Sequence, residues 1–342
     1  MKLRTRLLIW VFLAALLAAT GAAGYVAWRL TVAPLPASAT GVTFVVKHGD
    51  SVKSVARRLE ARGAISHGWE LSLLARLRGE GGNVRAGEYR IPAGLSVAGL
   101  LDMLVSGRVV MHSFTIVPGT TFHEIRTQLE ADSAFDDDIK GLTSAQVMKL
   151  TGHPGETAEG HFLPNTYDFP KGTKDSAVLA RAYAAMHAEM AKLWPQRAVG
   201  LPYKAPEQAL IIASIVEKET ALPRERPRIA GVFVRRLQKG MRLAADPTVI
   251  YGLGSRYNGD ITRRDLHLDT PYNTYLHRGY PPTPICMPSL ASIRAALHPD
   301  HGKSLYFVAK GDGSHVFSDT LAEQEKMIEK YQLHKGGGSK HQ

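Results

Sequence analysis

The chain of 342 residues contains one cysteine, Cys286. A single cysteine excludes an internal disulfide, a CxxC redox pair and a Cys-rich zinc site. The chain also lacks HExxH, GxSxG and P-loop motifs, and no GxGxxG opens a helix after a strand, so the common metalloprotease, serine hydrolase and nucleotide-binding chemistries are unsupported. Histidines such as His153 and His161, which flank Glu156 and Glu159, have spacings that could hold a metal. Because 14 histidines produce such spacings easily, we predict no metal and no cofactor.

Acidic residues are also few, since 31 Asp and Glu stand against 42 Lys and Arg and give a formal net charge of +11. A basic excess is typical of proteins that meet nucleic acid, an anionic membrane surface or an acidic polymer. The basic residues are scattered rather than gathered in one block, which argues against nucleic acid. With 44% hydrophobic and 21% charged residues, the chain is expected to be globular, and its length fits about two domains.

Charge is absent from Leu7 to Trp28, a run of 22 residues. As a helix this run would extend about 33 Å, enough to cross a bilayer core. Lys2, Arg4 and Arg6 precede it, and this bias predicts a cytoplasmic N-terminus with the remainder on the other side of the membrane. Small residues in the run could offer a signal-peptidase site, but signal h-regions are shorter, about 7–15 residues, so we expect a retained anchor.

Three segments, beginning at Val46, Ile91 and Ile116, share one pattern. Each has a glycine three residues after its apolar strand residue, then Ser or Thr two residues later, then an apolar pair seven apart. This pattern predicts a strand, a tight turn, an N-cap and an amphipathic helix. The third segment adds a capping box, Thr121 with Glu124. Small strand–helix units near an envelope anchor resemble LysM-type glycan-binding modules, although plain spacer modules fit the pattern equally well.

We therefore predict an α+β fold with a single N-terminal transmembrane helix, a small LysM-like subdomain and a larger mixed α/β domain. The predicted ranges are a cytoplasmic tail 1–6, an anchor 7–28, a linker 29–41, a LysM-like region 42–133, the larger domain 134–331 and a disordered tail 332–342. Within the larger domain, Asp175–Trp194 and Pro206–Leu222 are predicted helices.

The helix predicted from Pro206 carries two acids, Glu217 and Glu219, after the nearly unbroken apolar run 209–216. Desolvation there would raise a carboxyl pKa, which a general acid working near neutrality needs. Residues two apart on a helix point about 200° away from each other, so the two acids are not a catalytic pair. Glu219 follows the buried stripe more closely. The alternative is a helix end at which both acids are solvated or paired with basic neighbours.

Three polar and aromatic stretches, 158–169, 246–259 and 270–275, are rich in Tyr, Asn and acids. Aromatic rings stack on the C–H faces of sugars, while amides and hydroxyls bond the sugar alcohols. Tyr and Asn also serve structure in turns, so the composition leaves sugar binding open.

Ordered motifs run along the chain: Ile215-Val-Glu-Lys-Glu-Thr220, Asp246-Pro-Thr-Val-Ile-Tyr-Gly252, Tyr257-Asn-Gly259, Tyr272-Asn-Thr-Tyr275 and Gly279-Tyr-Pro-Pro282. In these motifs the chain closely resembles the YceG-like endolytic murein transglycosylases of the MltG type. The resemblance implies that the second acid of Glu-Lys-Glu-Thr, Glu219, is the catalytic residue. The chain has Asn165 where the family commonly has Asp in Pro-Asp-Thr-Tyr, so position 165 cannot act as an acid or base here.

The resemblance implies that the larger domain cleaves the β-1,4 bond between N-acetylmuramic acid (MurNAc) and N-acetylglucosamine (GlcNAc) in nascent glycan strands. Ordinary glycosidases need two carboxylates. In a lytic transglycosylase the muramyl 6-hydroxyl supplies the attacking oxygen, so one acid suffices and a 1,6-anhydro end forms. The residues expected to line the cleft and to orient the sugar or the acid are Glu159, Glu217, Asp246, Tyr251, Asn258, Tyr272, Asn273 and Tyr275.

The expected partners are peptidoglycan strands and the inner membrane, with peptidoglycan synthases of the penicillin-binding type as candidates. Two other functions stay open. The first is a non-catalytic envelope scaffold that binds glycan or a wall synthase through the LysM-like part, and the second is a metal-dependent wall amidase.

Overall fold

The computed structural model describes residues 2–333 and divides the chain into two compact units. Unit 1 comprises residues 1–112 and 168–172, and unit 2 comprises residues 113–167 and 173–342. The predicted boundary after residue 133 differs from this division, because residues 113–133 group with unit 2. The predicted tail 332–342 lies outside the described residues from position 334 onward. The mixed α/β architecture with an N-terminal apolar helix is as predicted.

The N-terminal helix α1 spans Lys2–Thr31, and its portion Arg6–Thr31 is long and apolar enough to cross a membrane. The end of this helix is attached to unit 1, where Leu30 is buried and Arg29 donates hydrogen bonds of 3.2 and 2.9 Å to Glu70. The segment that follows also packs on unit 1, since the Leu35 amide donates to the Leu95 carbonyl at 2.7 Å. The segment predicted as a linker, 29–41, is therefore ordered against unit 1.

Besides α1, unit 1 contains two paired antiparallel strands and three helices around one core. The elements are β1 (Thr43–Val46), β2 (Gly87–Arg90), α2 (Val52–Ala61), α3 (Gly68–Leu77) and α4 (Val97–Ser106). Ser51 and Ser96 cap α2 and α4, because each side chain accepts the amide of the residue three positions later. Gly49 and Gly94 adopt φ values of +83° and +72° in the preceding turns, a conformation that favours glycine.

Unit 2 is mainly helical. Its helices are α5 (Phe122–Ala131), α6 (Ser144–Leu150), α7 (Asp175–Leu193), α8 (Pro206–Glu219), α9 (Arg226–Gln238), α10 (Asp246–Leu253), α11 (Arg263–Leu266), α12 (Leu290–Leu297) and α13 (Leu321–Ile328). Strands β3 (Met111–Thr115) and β5 (Thr166–Pro170) run across the division. Strand β4 (Phe135–Asp136) pairs in parallel with β6 (Thr173–Lys174), and β7 (Tyr306–Ala309) forms an antiparallel hairpin with β8 (His315–Ser318).

The third sequence repeat lies in unit 2 and keeps the predicted local structure. Thr121 and Glu124 form the capping box of α5, and Gly119 precedes it at a φ of +83°. The strand–turn–helix pattern is therefore confirmed in all three segments, although the segments divide between the two units.

Helix α8 is the central element of unit 2 and is buried from Ala209 to Val216 against α9 and α12. The hydroxyl of Ser214 donates to the Ile211 carbonyl at 2.7 Å and accepts the Ile285 amide at 3.0 Å, so this buried polar group is satisfied. The helix was predicted to reach Leu222 but ends at Glu219, because Thr220 is extended at φ −146° and ψ 135°. The nearby Pro223 disfavours helical backbone in the residue before it.

Candidate active site

Glu219, the last residue of α8, lines a cavity of about 290 Å³ in unit 2. Arg236 from α9, Asp246 from the start of α10, and Tyr275 also line this cavity, and its other polar lining residues are His315, Gln324 and Gln332. The hairpin β7–β8 and α13 complete the lining. The end of the buried helix thus delivers one carboxyl into a polar space on the edge of the core.

The Glu219 carboxyl is half-buried and accepts no hydrogen bond from the residues that the structure describes. Burial and then the negative charge of Asp246 raise the pKa of Glu219 to about 8, and the charge of Arg236 offsets part of this effect. Because that pKa lies above neutrality, the carboxyl is mostly protonated at pH 7. The group can therefore donate a proton, which is the chemistry expected of a general acid.

Asp246 and Tyr275 form a hydrogen-bonded pair next to Glu219. The Tyr275 hydroxyl donates to Oδ1 of Asp246 at 2.6 Å. Burial and this hydrogen bond to Asp246 raise the Tyr275 pKa well above its ordinary value, so the phenol stays a donor across the physiological range. The pair fixes the direction of the Asp246 carboxylate at the N-terminus of α10, where the helix dipole favours negative charge.

Arg236 was not among the predicted site residues. Its Nε donates to the Leu305 carbonyl at 2.7 Å, its Nη1 donates to the Leu243 carbonyl, and its guanidinium lies 5.3 Å from the centre of the Tyr306 ring. A signal for it was present in the sequence, because Arg236 lies three residues after the buried Phe233 and continues the apolar face of α9.

A strained turn also lines the cavity. Among the residues that the structure describes, Ala244 is the one non-glycine residue with a positive φ, at +48°. Its amide donates to the Thr274 carbonyl at 3.1 Å, and the next amide, Ala245, donates to the Thr274 hydroxyl at 3.0 Å. Such strain persists where the surroundings over-determine it, often at functional sites. Here it sets the path of the chain two residues before Asp246.

Three predicted site residues, Glu159, Tyr251 and Tyr272, form a second group that does not line the Glu219 cavity. Oε2 of Glu159 accepts the Tyr251 hydroxyl at 3.0 Å, and its two oxygens lie 3.1 and 3.2 Å from the Phe122 amide. Burial raises the pKa of Glu159 to about 7. The rings of Tyr251 and Tyr272 meet edge to face at 4.7 Å. This group joins α10 to the start of α5.

Glu217 was expected to line the cleft, but it is not among the residues that line the Glu219 cavity. Its Oε2 accepts the Ser289 amide at 2.9 Å and also the Ser289 hydroxyl, and Arg226 lies 3.7 Å from its Oε1. Ser289 is the N-cap of α12, so Glu217 holds one helix end against another. The two acids of α8 therefore have different surroundings, Ser289 for Glu217 and the cavity for Glu219.

The two predicted asparagines lie outside the cavity lining. Asn273 is fully buried: its amide donates to the carbonyls of Leu266 and Leu268, and its oxygen accepts the Tyr275 amide at 2.9 Å. It therefore positions the segment that carries Tyr275. Asn258 lies in an exposed turn, where its side chain accepts the Asp260 amide at 3.4 Å.

The sequence model of the YceG-like family matches residues 44–330. The chain belongs to the YceG-like family. The resemblance seen in the motifs is thereby confirmed, and the match runs through both units.

Two relatives of this YceG-like chain are named endolytic murein transglycosylase. It is 29% identical over 314 residues to the endolytic murein transglycosylase of Bacillus subtilis (strain 168), covering 86% of each chain. It is also 29% identical over 332 residues to the protein of that name from Streptococcus pneumoniae (D39), covering 87% of this chain and 60% of that one. A crystal structure of a YceG-like protein from Listeria monocytogenes matches with a TM-score of 0.53 and 29% identity, over 84% of this chain and 98% of that one.

Asn165, the position at which this YceG-like chain departs from the expected motif, is exposed. Its side-chain oxygen accepts the amide of Thr166 at 2.8 Å, and it is not part of the Glu219 cavity lining. An amide can make this local bond as well as a carboxylate can, so the substitution leaves the arrangement around Glu219 unaffected.

Proposed function

We propose that this chain is a membrane-anchored lytic transglycosylase that cuts within glycan strands at the MurNAc-β-1,4-GlcNAc bond. The observation that carries the proposal is the Glu219 carboxyl, which is half-buried in a polar cavity, accepts no hydrogen bond from residues 2–333 and has its pKa raised to about 8. The relatives named endolytic murein transglycosylase supply the substrate class.

In the proposed first step, Glu219 donates its proton to the glycosidic oxygen as the bond from that oxygen to C1 of MurNAc breaks. The leaving GlcNAc keeps the proton as its 4-hydroxyl. Positive charge develops at C1 and the ring oxygen, and the nearby carboxylate of Asp246, held by Tyr275, favours that charge. The new Glu219 anion is stabilised by the charge of Arg236.

In the proposed second step, the Glu219 carboxylate takes the proton of the muramyl 6-hydroxyl while that oxygen bonds to C1. The product has a 1,6-anhydro end, Glu219 is protonated again, and no water is consumed. One carboxyl thus acts as acid and then as base, so the cycle does not require a second catalytic carboxylate such as Glu159. The attacking hydroxyl belongs to the same sugar, which gives it the advantage of an intramolecular reaction.

The remaining predicted residues have supporting roles in this proposal. Tyr251 and Asp246 lie five positions apart on α10, about 140° around the helix. The Glu159–Tyr251–Tyr272 group therefore fixes α10 from one side while Asp246 faces the cavity on another. Asn273 holds the segment of Tyr275, and Asn258 lies in an exposed turn that a long strand could contact.

We further propose that α1 anchors the chain in the inner membrane, with its N-terminus cytoplasmic and both units periplasmic. The apolar stretch Arg6–Thr31 and the basic residues before it support this orientation. The LysM-like strand–helix units of unit 1 would contact glycan, and a peptidoglycan synthase would supply nascent strands nearby.

The test is digestion of uncrosslinked glycan strands by the wild type and by Glu219→Gln, with the product ends identified by mass. Loss of the acid should slow the release of 1,6-anhydro ends by about 10²- to 10⁴-fold. The matched control is Glu217→Gln, two residues away and bonded to Ser289, which should lose stability but keep turnover. Reducing ends in place of anhydro ends would overturn the mechanism. An unimpaired Glu219→Gln would overturn the assignment and favour a scaffold.

A further inference from the structure

A histidine and carboxylate cluster lies in unit 2, away from the residues that line the Glu219 cavity. Its members are Glu156, His161 and His187, and each has a ligand-type atom within 4.8 Å of the others. Nδ1 of His161 lies 3.3 Å from Nε2 of His187, and that Nε2 lies 3.9 Å from Oε2 of Glu156. Two imidazoles and one carboxylate therefore point at a common space.

The separation of the two imidazole nitrogens matches the edge of a metal coordination shell. Zinc binds imidazole nitrogen at about 2.0–2.1 Å, and two such ligands in a tetrahedral site are about 3.3 Å apart. The spacing between His161 and His187 equals that edge. Glu156 lies slightly farther away but is exposed, so its carboxylate can close onto an ion without disturbing the core.

The ring nitrogen of His161 that faces away from the cluster lies next to a carboxylate, as is common for a metal-bound histidine. Nε2 of His161 is buried and has no hydrogen-bond partner in the described part of the chain, yet it lies 2.9 Å from Oε2 of Glu207. A metal-bound histidine commonly directs its other ring N–H to a carboxylate. With Nδ1 on the ion, His161 would direct Nε2–H at Glu207, and a small rotation of that carboxylate would align the bond.

Tyr183 supports the other two ligands. Its hydroxyl donates to Oε2 of Glu156, and its ring stacks on His187 with centroids 4.0 Å apart and on His153 with centroids 3.5 Å apart. The imidazole and the carboxylate are thus both held by one buried tyrosine. His153, which the sequence had suggested as a ligand, instead stacks on the outer face of that tyrosine.

We propose that Glu156, His161 and His187 bind a divalent transition-metal ion of the Zn²⁺ class. His161 is buried whereas Glu156 and His187 are exposed, so the fourth position opens to water. The ion would join helix α7, which carries His187, to the loop that carries Glu156, Glu159 and His161. It would act as a brace for that loop, and it takes no part in the proton transfers of Glu219.

The test uses the full untagged chain in detergent, dialysed against chelator and titrated with ZnCl2 by calorimetry. The wild type should bind one Zn²⁺, and His187→Ala or Glu156→Gln should weaken that binding by about 100-fold, while His153→Ala should retain it. Both ligand variants change exposed side chains, so folding is expected to be kept. Co²⁺ gives a second readout, since four-coordinate Co²⁺ has intense visible bands that His187→Ala should abolish.

Zinc should also raise the melting temperature of the wild type and of His153→Ala, because an ion that binds the folded state stabilises it. It should leave His187→Ala unchanged. Zinc affinity that is equal in the wild type and in His187→Ala would overturn the proposal, as would loss of binding in His153→Ala with retention in His187→Ala.

Discussion

Glu217 and Glu219 show how little separation along a chain is needed to place two identical side chains in different surroundings. Glu217 ends in hydrogen bonds to Ser289, whereas Glu219 enters the cavity with its pKa raised to about 8. The helical angle between them was readable in the sequence. The neighbours that shift the Glu219 pKa could not be predicted from the sequence, because Asp246 and Arg236 come close to it from other helices through the tertiary fold.

In the proposed mechanism, glycan-strand cleavage should slow as the pH rises through about 8, because Glu219 must be protonated to act as an acid. The Asp246→Asn variant removes the negative charge that helps to raise the Glu219 pKa, so its alkaline limb should move to lower pH. Measuring kcat/KM for anhydro-end release against pH in both proteins checks this. An alkaline limb at the same or a higher pH in Asp246→Asn would contradict the coupling.

The ionisation of Glu219 should also make the stability of the fold depend on pH. The Glu219 pKa is about 8 in the folded chain against an ordinary value of 4.5, so between these values the folded state binds more protons than the unfolded state. The Glu219 contribution to the free energy of unfolding is therefore complete below pH 4.5 and is lost as the pH rises to about 8.

Glutamine does not ionise, so Glu219→Gln should not lose stability as the pH rises. The variant should therefore be more stable than the wild type at pH 8, and the difference should shrink toward pH 5. Each kcal/mol would appear as about 2–4 °C in melting temperature for a domain of 150–250 residues. Thermal melts of both proteins at the two pH values measure it, with Glu217→Gln as the control. A difference that is constant with pH would show that Glu219 titrates normally.

At the scale of elements, the sequence predicted the features that depend on neighbouring residues and missed those that depend on tertiary contacts. The three strand–turn–helix segments were predictable because the glycine, the N-cap and the apolar spacing all lie within a few residues of one another. The end of α8 at Glu219 was missed by three residues, since it depends on Thr220 leaving the helix. The grouping of residues 113–133 with unit 2 depends on contacts between residues far apart in the sequence, so no local sequence pattern indicates it.

The loop between α6 and β5 offers an element-scale test through Gly160, which has a φ of +83°. A Cβ there would lie 2.4 Å from Cβ of Pro284, a rigid ring that cannot turn aside. Gly160→Ala should cost about 2–4 kcal/mol, through backbone strain and overpacking. It should also slow strand cleavage, because the adjacent Glu159 would shift from the Phe122 amide and from Tyr251.

Gly155 is the matched control, since it has a φ of +88° in the same loop but no atom within 4 Å of its added Cβ. Gly155→Ala should cost only the backbone strain, about 1–2 kcal/mol, and should leave cleavage unchanged. Urea unfolding of the two variants gives both values. Equal losses would mean that the contact with Pro284 relaxes at no cost.

At the scale of the whole molecule, the proposed orientation depends on three basic residues before α1. Replacing Lys2, Arg4 and Arg6 with Glu should reduce translocation of the globular part across the inner membrane severalfold, because the positive bias holds the N-terminus inside. Protease protection in spheroplasts measures the fraction translocated. Exchange of three exposed basic residues of unit 2 is the control, and unchanged translocation in the N-terminal variant would contradict the orientation.

The division into two units shows the limit of sequence reasoning at this scale. The uncharged run predicted one long apolar helix, which is present, whereas the predicted boundary after residue 133 falls inside unit 2. The order of the segment 29–41 was not predictable, because prolines and small residues occur in free linkers and in packed ones alike. Its burial depends on Arg29, Leu30 and Leu35 meeting partners that lie tens of residues later.

Under the proposed membrane anchoring, that packed segment would set how the protein searches for its substrate. With Leu30 buried and Arg29 bonded to Glu70, no slack chain separates the helix from unit 1. In a bilayer, unit 1 would move only as fast as the helix diffuses laterally, and it would stay within the layer of wall next to the lipid. Its encounters with glycan would then depend on the number of protein molecules per area of membrane rather than on a bulk concentration.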